Sequence, residues 1–298
     1  MTPDARPSWV DRLPAAARSY ARLARFDRPI GAWLLYWPCA WGVGLSGGLA
    51  ARWPLLLTLF AGAVAMRGAG CVYNDIVDRD LDRRVARTAA RPVASGAVSL
   101  RAARVWMVAL ALAGFGVWLS LAPFARAVAL GSLALVAAYP FMKRITWWPQ
   151  AWLGLAFNWG ALVAWAEVRG RLDGAAVALW GAGIAWTLGY DTIYALQDIE
   201  DDAVVGVRSS ARRLGARVRA GVALFYAATV ALLGVALWLR AHDLLALVAL
   251  LPTGLHFAWQ VRRLRPDDPA NALALFKANS AAGVLIALAC AAVGSAAL

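Results

Sequence analysis

Two acidic stretches stand where long apolar runs end: Asn74-Asp75-Ile76-Val77-Asp78-Arg79-Asp80-Leu81-Asp82 and Asp198-Ile199-Glu200-Asp201-Asp202. Asn74, Asp78 and Asp82 recur at every fourth position, as do Asp198 and Asp202. On a helix that spacing stacks the oxygens on one face. Carboxylates so close together repel unless cations neutralise them. Every donor is an oxygen, with no His or Cys in either stretch, which suits a hard divalent cation, Mg²⁺ foremost. Magnesium keeps several waters and bridges substrate phosphates, so the simplest reading is a diphosphate clamp. The competing reading is a solvated loop salt-bridged by Arg79, Arg83 and Arg84; the existence of a second, matching cluster argues against it.

Other residues extend the pattern. Asp191 precedes Asp198 by seven positions and Asp202 by eleven, so it shares their stripe about three helical turns deeper than Asp202. An ionisable residue that far inside an apolar run is expected to be functional. The basic residues Arg83, Arg84, Arg87, Arg91, Lys143, Arg144 and Arg208 lie near the acidic stretches. A guanidinium fork binds two phosphate oxygens at once, although charge topology accounts for more than half of this set. Lys143-Arg144 follows Tyr139-Pro140, a break expected to aim the pair back over a cavity. Arg67 lies within an apolar run, seven residues before Asn74 and on nearly the same face. It is expected to face a cavity, an anionic substrate or an interior acid such as Asp191. Trp33, Trp37 and Trp41 form a stripe; packing and interfacial anchoring outweigh carbocation stabilisation as its role.

The elements that must hold these residues are membrane helices. The 298-residue chain is 62% hydrophobic and only 16% charged, with a mean hydropathy of +0.60. A soluble domain carries nearer 25% charge. Apolar runs at 29–49, 54–73, 104–121, 124–141, 149–166, 175–196, 218–239, 243–261 and 272–297 predict about nine spans. The expected architecture is an all-α integral membrane protein, two four-helix halves plus one helix around a central cavity. It comprises a cytoplasmic N-terminal segment, 1–28, and a single membrane domain, 29–298.

The net charge of +13 raises nucleic acid as a partner, but its distribution excludes that. With nine spans, the Arg-rich segments before residue 29, at 79–104, at 143–144, at 208–219 and at 262–277 share one side. The other keeps Arg52, Arg126, Arg169, Arg171 and Arg240. The positive-inside rule then makes the rich side cytoplasmic, with the N-terminus and both acidic motifs inside and the C-terminus outside. The expected location is a bacterial inner (plasma) membrane. Cys39, Cys71 and Cys290 read as small buried residues, and residues 1–28 lack the pattern of a cleaved signal peptide.

With these residues in view, the chain resembles the UbiA superfamily of intramembrane aromatic prenyltransferases. The motif NDxxDxxxD is met in full by Asn74, Asp75, Asp78 and Asp82. The run Arg87-Thr88-Ala89-Ala90-Arg91-Pro92 with Ser95-Gly96, and the second motif from Tyr190 to Asp202, are similar to that family. The stretches Arg25–Gly31 and Tyr139–Arg144 resemble its 4-hydroxybenzoate branch, in ubiquinone synthesis. The likeness covers residues 22 to 215.

The resemblance implies Mg²⁺ dependence, a polyprenyl diphosphate donor entering from the lipid bilayer, and 4-hydroxybenzoate alkylated next to its hydroxyl. The metal residues would be Asn74, Asp78, Asp82, Asp198 and Asp202, and the catalytic set Asp75, Asp78, Asp191, Asp198 and Asp202. Arg83, Arg87, Arg91, Lys143 and Arg208 would bind diphosphate. Arg144 would anchor the acceptor carboxylate, with Arg67 second, while Asp191 and Tyr194 would contact the phenol. Other aromatic or haem prenyltransferases of the superfamily are the alternatives within it. A secondary transporter, with charges near mid-membrane, is the alternative outside it; acidic clusters at helix ends and the lack of paired broken spans weigh against that.

Overall fold

The computed structural model describes residues 8–84, 88–197, 199 and 206–297, so Arg87, Asp198 and Asp202 lie outside the described residues. Among the described residues, regular structure is entirely helical. The principal helices are α1 (Ala15–Leu23), α2 (Ile30–Leu45), α3 (Pro54–Val77), α4 (Arg79–Asp82), α5 (Leu100–Ser120) and α6 (Pro123–Ile145). They continue with α7 (Pro149–Phe157), α8 (Trp159–Arg169), α9 (Gly174–Ala195), α10 (Val218–Ala241), α11 (Leu251–Arg263) and α12 (Pro269–Ala296). Proline opens α3, α6, α7 and α12, where its missing N–H costs no helical hydrogen bond. Asp173 and Asp268 cap α9 and α12 by accepting from backbone N–H groups of their first turns.

Among the described residues, six segments are long and apolar enough to cross a membrane: Pro54–Val77, Leu100–Ser120, Pro123–Ile145, Ser210–Ala241, Leu244–Arg263 and Pro269–Ala296. Three expected spans look different from the reading above. The first, α2, has 16 residues and is shorter than a full span. The expected span at 149–166 is two helices hinged at Asn158, whose buried amide donates to Gly154 O and Thr187 Oγ1, both at 2.8 Å. Side-chain bonding of this kind competes with the helical ladder. Gly183 on α9 leaves the room: a Cβ there would lie 2.2 Å from Asn158 Oδ1. The span expected at 243–261 opens with a 3₁₀ segment, Leu244–Leu250, before α11 begins. A further correction concerns Pro140. It is no break, because α6 runs through it to Ile145. Proline removes one donor, and the last turn still closes through Thr146 N–H to Met142 O at 2.9 Å.

The chain forms two compact units. The first comprises residues 1–33 and 60–120, holding α1, most of α3, α4 and α5. Its core joins Leu23, Ala69, Val72, Val93, Val98, Ala103 and Leu110. Val93 and Val98 come from the loop after the first acidic motif, so that loop is tied down by apolar burial.

The second unit comprises residues 34–59 and 121–298. Here α2 docks on α12 by indole donors and small residues. Trp41 Nε1 donates to Gly283 O at 2.9 Å and Trp37 Nε1 to Ser280 Oγ at 3.4 Å. These bonds give Trp37 and Trp41 the packing role expected of the stripe. Gly294 lets the backbones touch, since a Cβ on it would fall 2.0 Å from Gly44 O.

Gly294→Ala should therefore destabilise the second unit by about 1–3 kcal/mol through overpacking, read as a lower melting temperature in detergent. Gly254→Ala is the control, because a Cβ there meets nothing within 4 Å. It should leave the melt unchanged or raise it slightly, since alanine favours the helix.

Candidate active site

In the first unit, α3 carries Asn74 and Asp75 in its final turn and yields to α4 at Asp78. The expected stripe survives that change of helix. Asp78 N–H donates to Asn74 O at 2.9 Å and Asp82 N–H to Asp78 O at 2.8 Å, keeping the four-residue step. Asp75, Asp78 and Asp82 are buried at 2%, 0% and 5% exposure. Asp80, off the stripe, has an 82% exposed side chain. The chain has thus buried the acids of one face and left the other wet.

Burial demands compensation. Arg25 Nη2 donates to both oxygens of Asp75, at 2.9 and 3.1 Å. Arg91 Nη1 bridges Asp75 Oδ1 at 3.3 Å and Asp82 Oδ2 at 2.8 Å. Arg83, expected on the diphosphate, donates from Nε to Ala94 O at 2.9 Å and stands 3.8 Å from Asp80. Desolvation raises the Asp82 pKa above the usual carboxylate range; Arg91 pulls it back, while Asp75 and Asp78 push it further up.

Arg25 is the residue the sequence reading left out of the site. It follows α1 with a left-handed φ of +61°, a conformation non-glycine residues rarely adopt. Its Nη1 also donates to Arg22 O at 3.0 Å. The only signal was its place at the head of the Arg25–Gly31 stretch. Its partner lies 50 residues away.

Arg67 sits partly buried on α3, with its guanidinium packed against Gly31 at the start of α2.

In the second unit, Asp191 is half-buried on α9. One turn away, the Tyr194 ring packs against Phe276 at 4.6 Å, and Tyr190 and Trp186 continue the aromatic row at 4.9 Å from each other. The α9 end is fastened to the short helix Ser210–Leu214 by Thr192 Oγ1 and Ser210 Oγ at 2.6 Å. Ser210 N–H in turn donates to Gln150 Oε1 at 3.1 Å.

Lys143 and Arg208 come together: Arg208 N–H donates to Lys143 O at 3.0 Å, and its Nη1 to Ile145 O. Cations there complement the negative end of the α6 dipole. Arg144 is exposed at the same helix end.

The donor chemistry of the first motif fits a hard cation, being enclosed carboxylate and amide oxygen. Among the described residues no group of three His, Cys, Asp or Glu side chains converges as a formed metal centre. Asp75 and Asp82 are turned instead to Arg25 and Arg91.

The model of the UbiA prenyltransferase family matches residues 35–294. The chain belongs to that family. It is 42% identical to the mitochondrial 4-hydroxybenzoate polyprenyltransferase of Drosophila pseudoobscura pseudoobscura over 285 residues, covering 94% of this chain and 72% of the relative. The human protein of the same name is 40% identical, covering 94% and 76%. Among solved structures, an apo UbiA homolog from Aeropyrum pernix K1 matches with a TM-score of 0.71 and 27% identity, over 86% of this chain and 96% of that one. A UbiA homolog from Archaeoglobus fulgidus, bound to GPP and Mg²⁺, matches with a TM-score of 0.68 and 18% identity, over 92% and 99%; this likeness supports the fold alone.

These relatives overturn one expectation. They are named as mitochondrial enzymes, so the assignment to a bacterial inner membrane, with its cytoplasmic and external sides, falls. Charge asymmetry identifies a basic side; it carries no information about whose membrane that is. The integral membrane character of the UbiA family chain stands on the long apolar helices among its described residues.

Breaking the buried cluster should be costly and cooperative. Arg25→Ala should destabilise the protein by about 3–5 kcal/mol, because it strips a buried carboxylate of its main partner. Arg25→Ala with Asp75→Ala should cost less than the sum of the two single changes, by about 0.5–3 kcal/mol. Denaturation of all three variants in detergent checks the coupling.

Proposed function

We propose that this chain transfers a polyprenyl group from polyprenyl diphosphate to the ring carbon of 4-hydroxybenzoate next to the hydroxyl, releasing diphosphate, in ubiquinone biosynthesis. One observation carries the reading: 42% identity across 94% of the chain to a protein named for that reaction. The intact NDxxDxxxD motif, with Asp75, Asp78 and Asp82 buried, supplies the chemistry such a reaction needs.

Asn74, Asp78 and Asp82 in the first motif, and Asp198 and Asp202 in the second, are assigned to hold Mg²⁺. The carboxylate and amide oxygens gathered by the two motifs support this assignment, because a hard cation takes oxygen ligands. When bound, the ion neutralises diphosphate charge and eases its departure. The chain's own cations, Arg83, Arg87, Arg91, Lys143 and Arg208, add preorganised positive potential for the leaving group. Departure breaks the allylic C–O bond and leaves a carbocation. The electron-rich phenol ring attacks it through carbon, and loss of the ring proton restores aromaticity. Asp191 orients or deprotonates the hydroxyl, with Tyr194 beside it one turn along α9. Exclusion of water by the apolar helices limits quenching of the cation. Asp75 keeps Arg25 and Arg91 in place around the first motif.

The acceptor enters as a carboxylate, which needs a cation once out of water. Arg144 and Arg67 are assigned to it. Partial burial on the motif-bearing helix favours Arg67, and exposure weakens the case for Arg144. The nine-span architecture around a central cavity belongs to the same proposal. Adding α2, the hinged pair α7–α8 and α9 to the six long apolar segments gives that count, within one membrane domain from residue 29 onward.

Kinetics of variants test the assignments. Asp78→Ala and Asp202→Ala should each lower kcat by at least about 100-fold, the scale of losing a principal charge stabiliser, while Asp80→Ala stays near the parent. Diphosphate release at saturating substrates is the measurement. Parent-like turnover by Asp78→Ala would remove that residue from the metal set. In the same assay, Arg67→Ala should raise KM for 4-hydroxybenzoate far more than KM for the donor. The reverse pattern would assign Arg67 to the diphosphate.

A further inference from the structure

We propose that Gly31 is a positioning residue: its missing side chain sets where the Arg67 guanidinium sits, and thereby the affinity for the acceptor's carboxylate. The proposal rests on the reading of Arg67 given above. Gly31 is the second residue of α2. A Cβ built on it would lie 2.6 Å from Arg67 Nε, 2.9 Å from Nη2 and 3.1 Å from Cζ. No real carbon tolerates the first two separations, so the guanidinium occupies the space a side chain would fill.

Glycine in a helix is unfavourable relative to alanine, so its presence here calls for a reason. Backbone conformation is not the reason, because Gly31 is absent from the residues with positive φ. The turn around it is ordinary helix, with Ala32 and Trp33 N–H groups donating to Pro29 O at 3.0 and 3.1 Å. Attraction to the helix is not the reason either, since the start of a helix is the positive end of its dipole and repels a cation. Space is what remains. Gly70, three residues beyond Arg67 on α3, has nothing within 4 Å of its Cβ position, whereas the Cβ position of Gly31 is filled by the charged end of Arg67.

The obstructed atoms are the far end of a flexible side chain. An added methyl is therefore accommodated by moving the guanidinium rather than by moving a helix. Arg67 carries its charge through a planar fork whose value depends on direction, and Nε is enclosed from solvent. Turning the fork away degrades a directional contact while leaving the fold intact. This separates Gly31 from a packing glycine such as Gly294, where the obstructing atoms are backbone.

The test is a double-mutant cycle on the full chain in detergent or lipid: parent, Gly31→Ala, Arg67→Ala and the double variant. KM and kcat are measured for 4-hydroxybenzoate and for the polyprenyl diphosphate, with 4-hydroxybenzoate binding read independently by calorimetry. Gly31→Ala should raise acceptor KM and Kd roughly tenfold or more, the scale of one charge-assisted contact. Donor KM, kcat and the melting temperature should stay near parent values. In the Arg67→Ala background the same change should add nothing. If Arg67→Ala weakens acceptor binding and Gly31→Ala does not, the role of Gly31 is overturned and the carboxylate assignment survives. If Arg67→Ala leaves acceptor binding unchanged, both fall. If Gly31→Ala melts early and Arg67→Ala does not rescue it, Gly31 is a packing residue and the proposal fails.

Discussion

A carboxylate that must stay charged where water is scarce is the constraint on which the first unit is built. Asp75 is 2% exposed, and two guanidiniums, from Arg25 and Arg91, converge on it. An unpaired charge in that position would cost several kcal/mol. The backbone has been arranged to avoid this. Arg25 turns left-handed at the end of α1 so that its side chain reaches α3. Arg91 arrives on a loop pinned beneath by Val93 and Val98. Removing either arm leaves the acid under-compensated and releases the segment that delivered the arm.

The same cluster gives the first motif its chemical character. Asp78 and Asp82 share the stripe with Asn74, and Asp75, Asp78 and Asp82 are withdrawn from solvent. Low local dielectric strengthens every charge interaction there, attractive or repulsive. Such a site has strong reason to bind added positive charge, and the polar face where α3 gives way to α4 supplies the oxygens. Arg91 spans two of the acids, so the loop bearing it and the motif are mechanically one piece. The second unit meets a parallel demand differently, fastening the end of α9 through neutral hydroxyl and amide contacts among Thr192, Ser210 and Gln150.

Local patterns were legible in the sequence; long-range partners were not. The acidic stripe could be read because four-residue spacing is a property of any helix, and it survived even where α3 gives way to α4. Apolar runs located the long helices because a membrane span has a minimum length. The hinge at Asn158 could not be read, since it depends on Thr187 and Gly183 in another helix. Pro140 misled because a proline near a helix end removes a single donor and need not bend the chain. Arg25 was missed for a similar reason: its worth comes from Asp75, 50 residues away. The membrane's identity lay beyond any charge count, and only relatives named as mitochondrial corrected it.

In this UbiA family chain the enclosed first acidic motif, together with the second, is assigned to metal-assisted prenyl transfer to a phenolic acid. The most direct measurement incubates the purified protein with 4-hydroxybenzoate and a polyprenyl diphosphate, with Mg²⁺ and again with excess chelator. Products are identified by mass spectrometry and diphosphate is counted in parallel. The expected result is a ring-prenylated 4-hydroxybenzoate, one diphosphate released for each product, and loss of both without metal. Undiminished product under chelation would contradict the metal assignment, and diphosphate release with no prenylated acid would contradict the transfer itself.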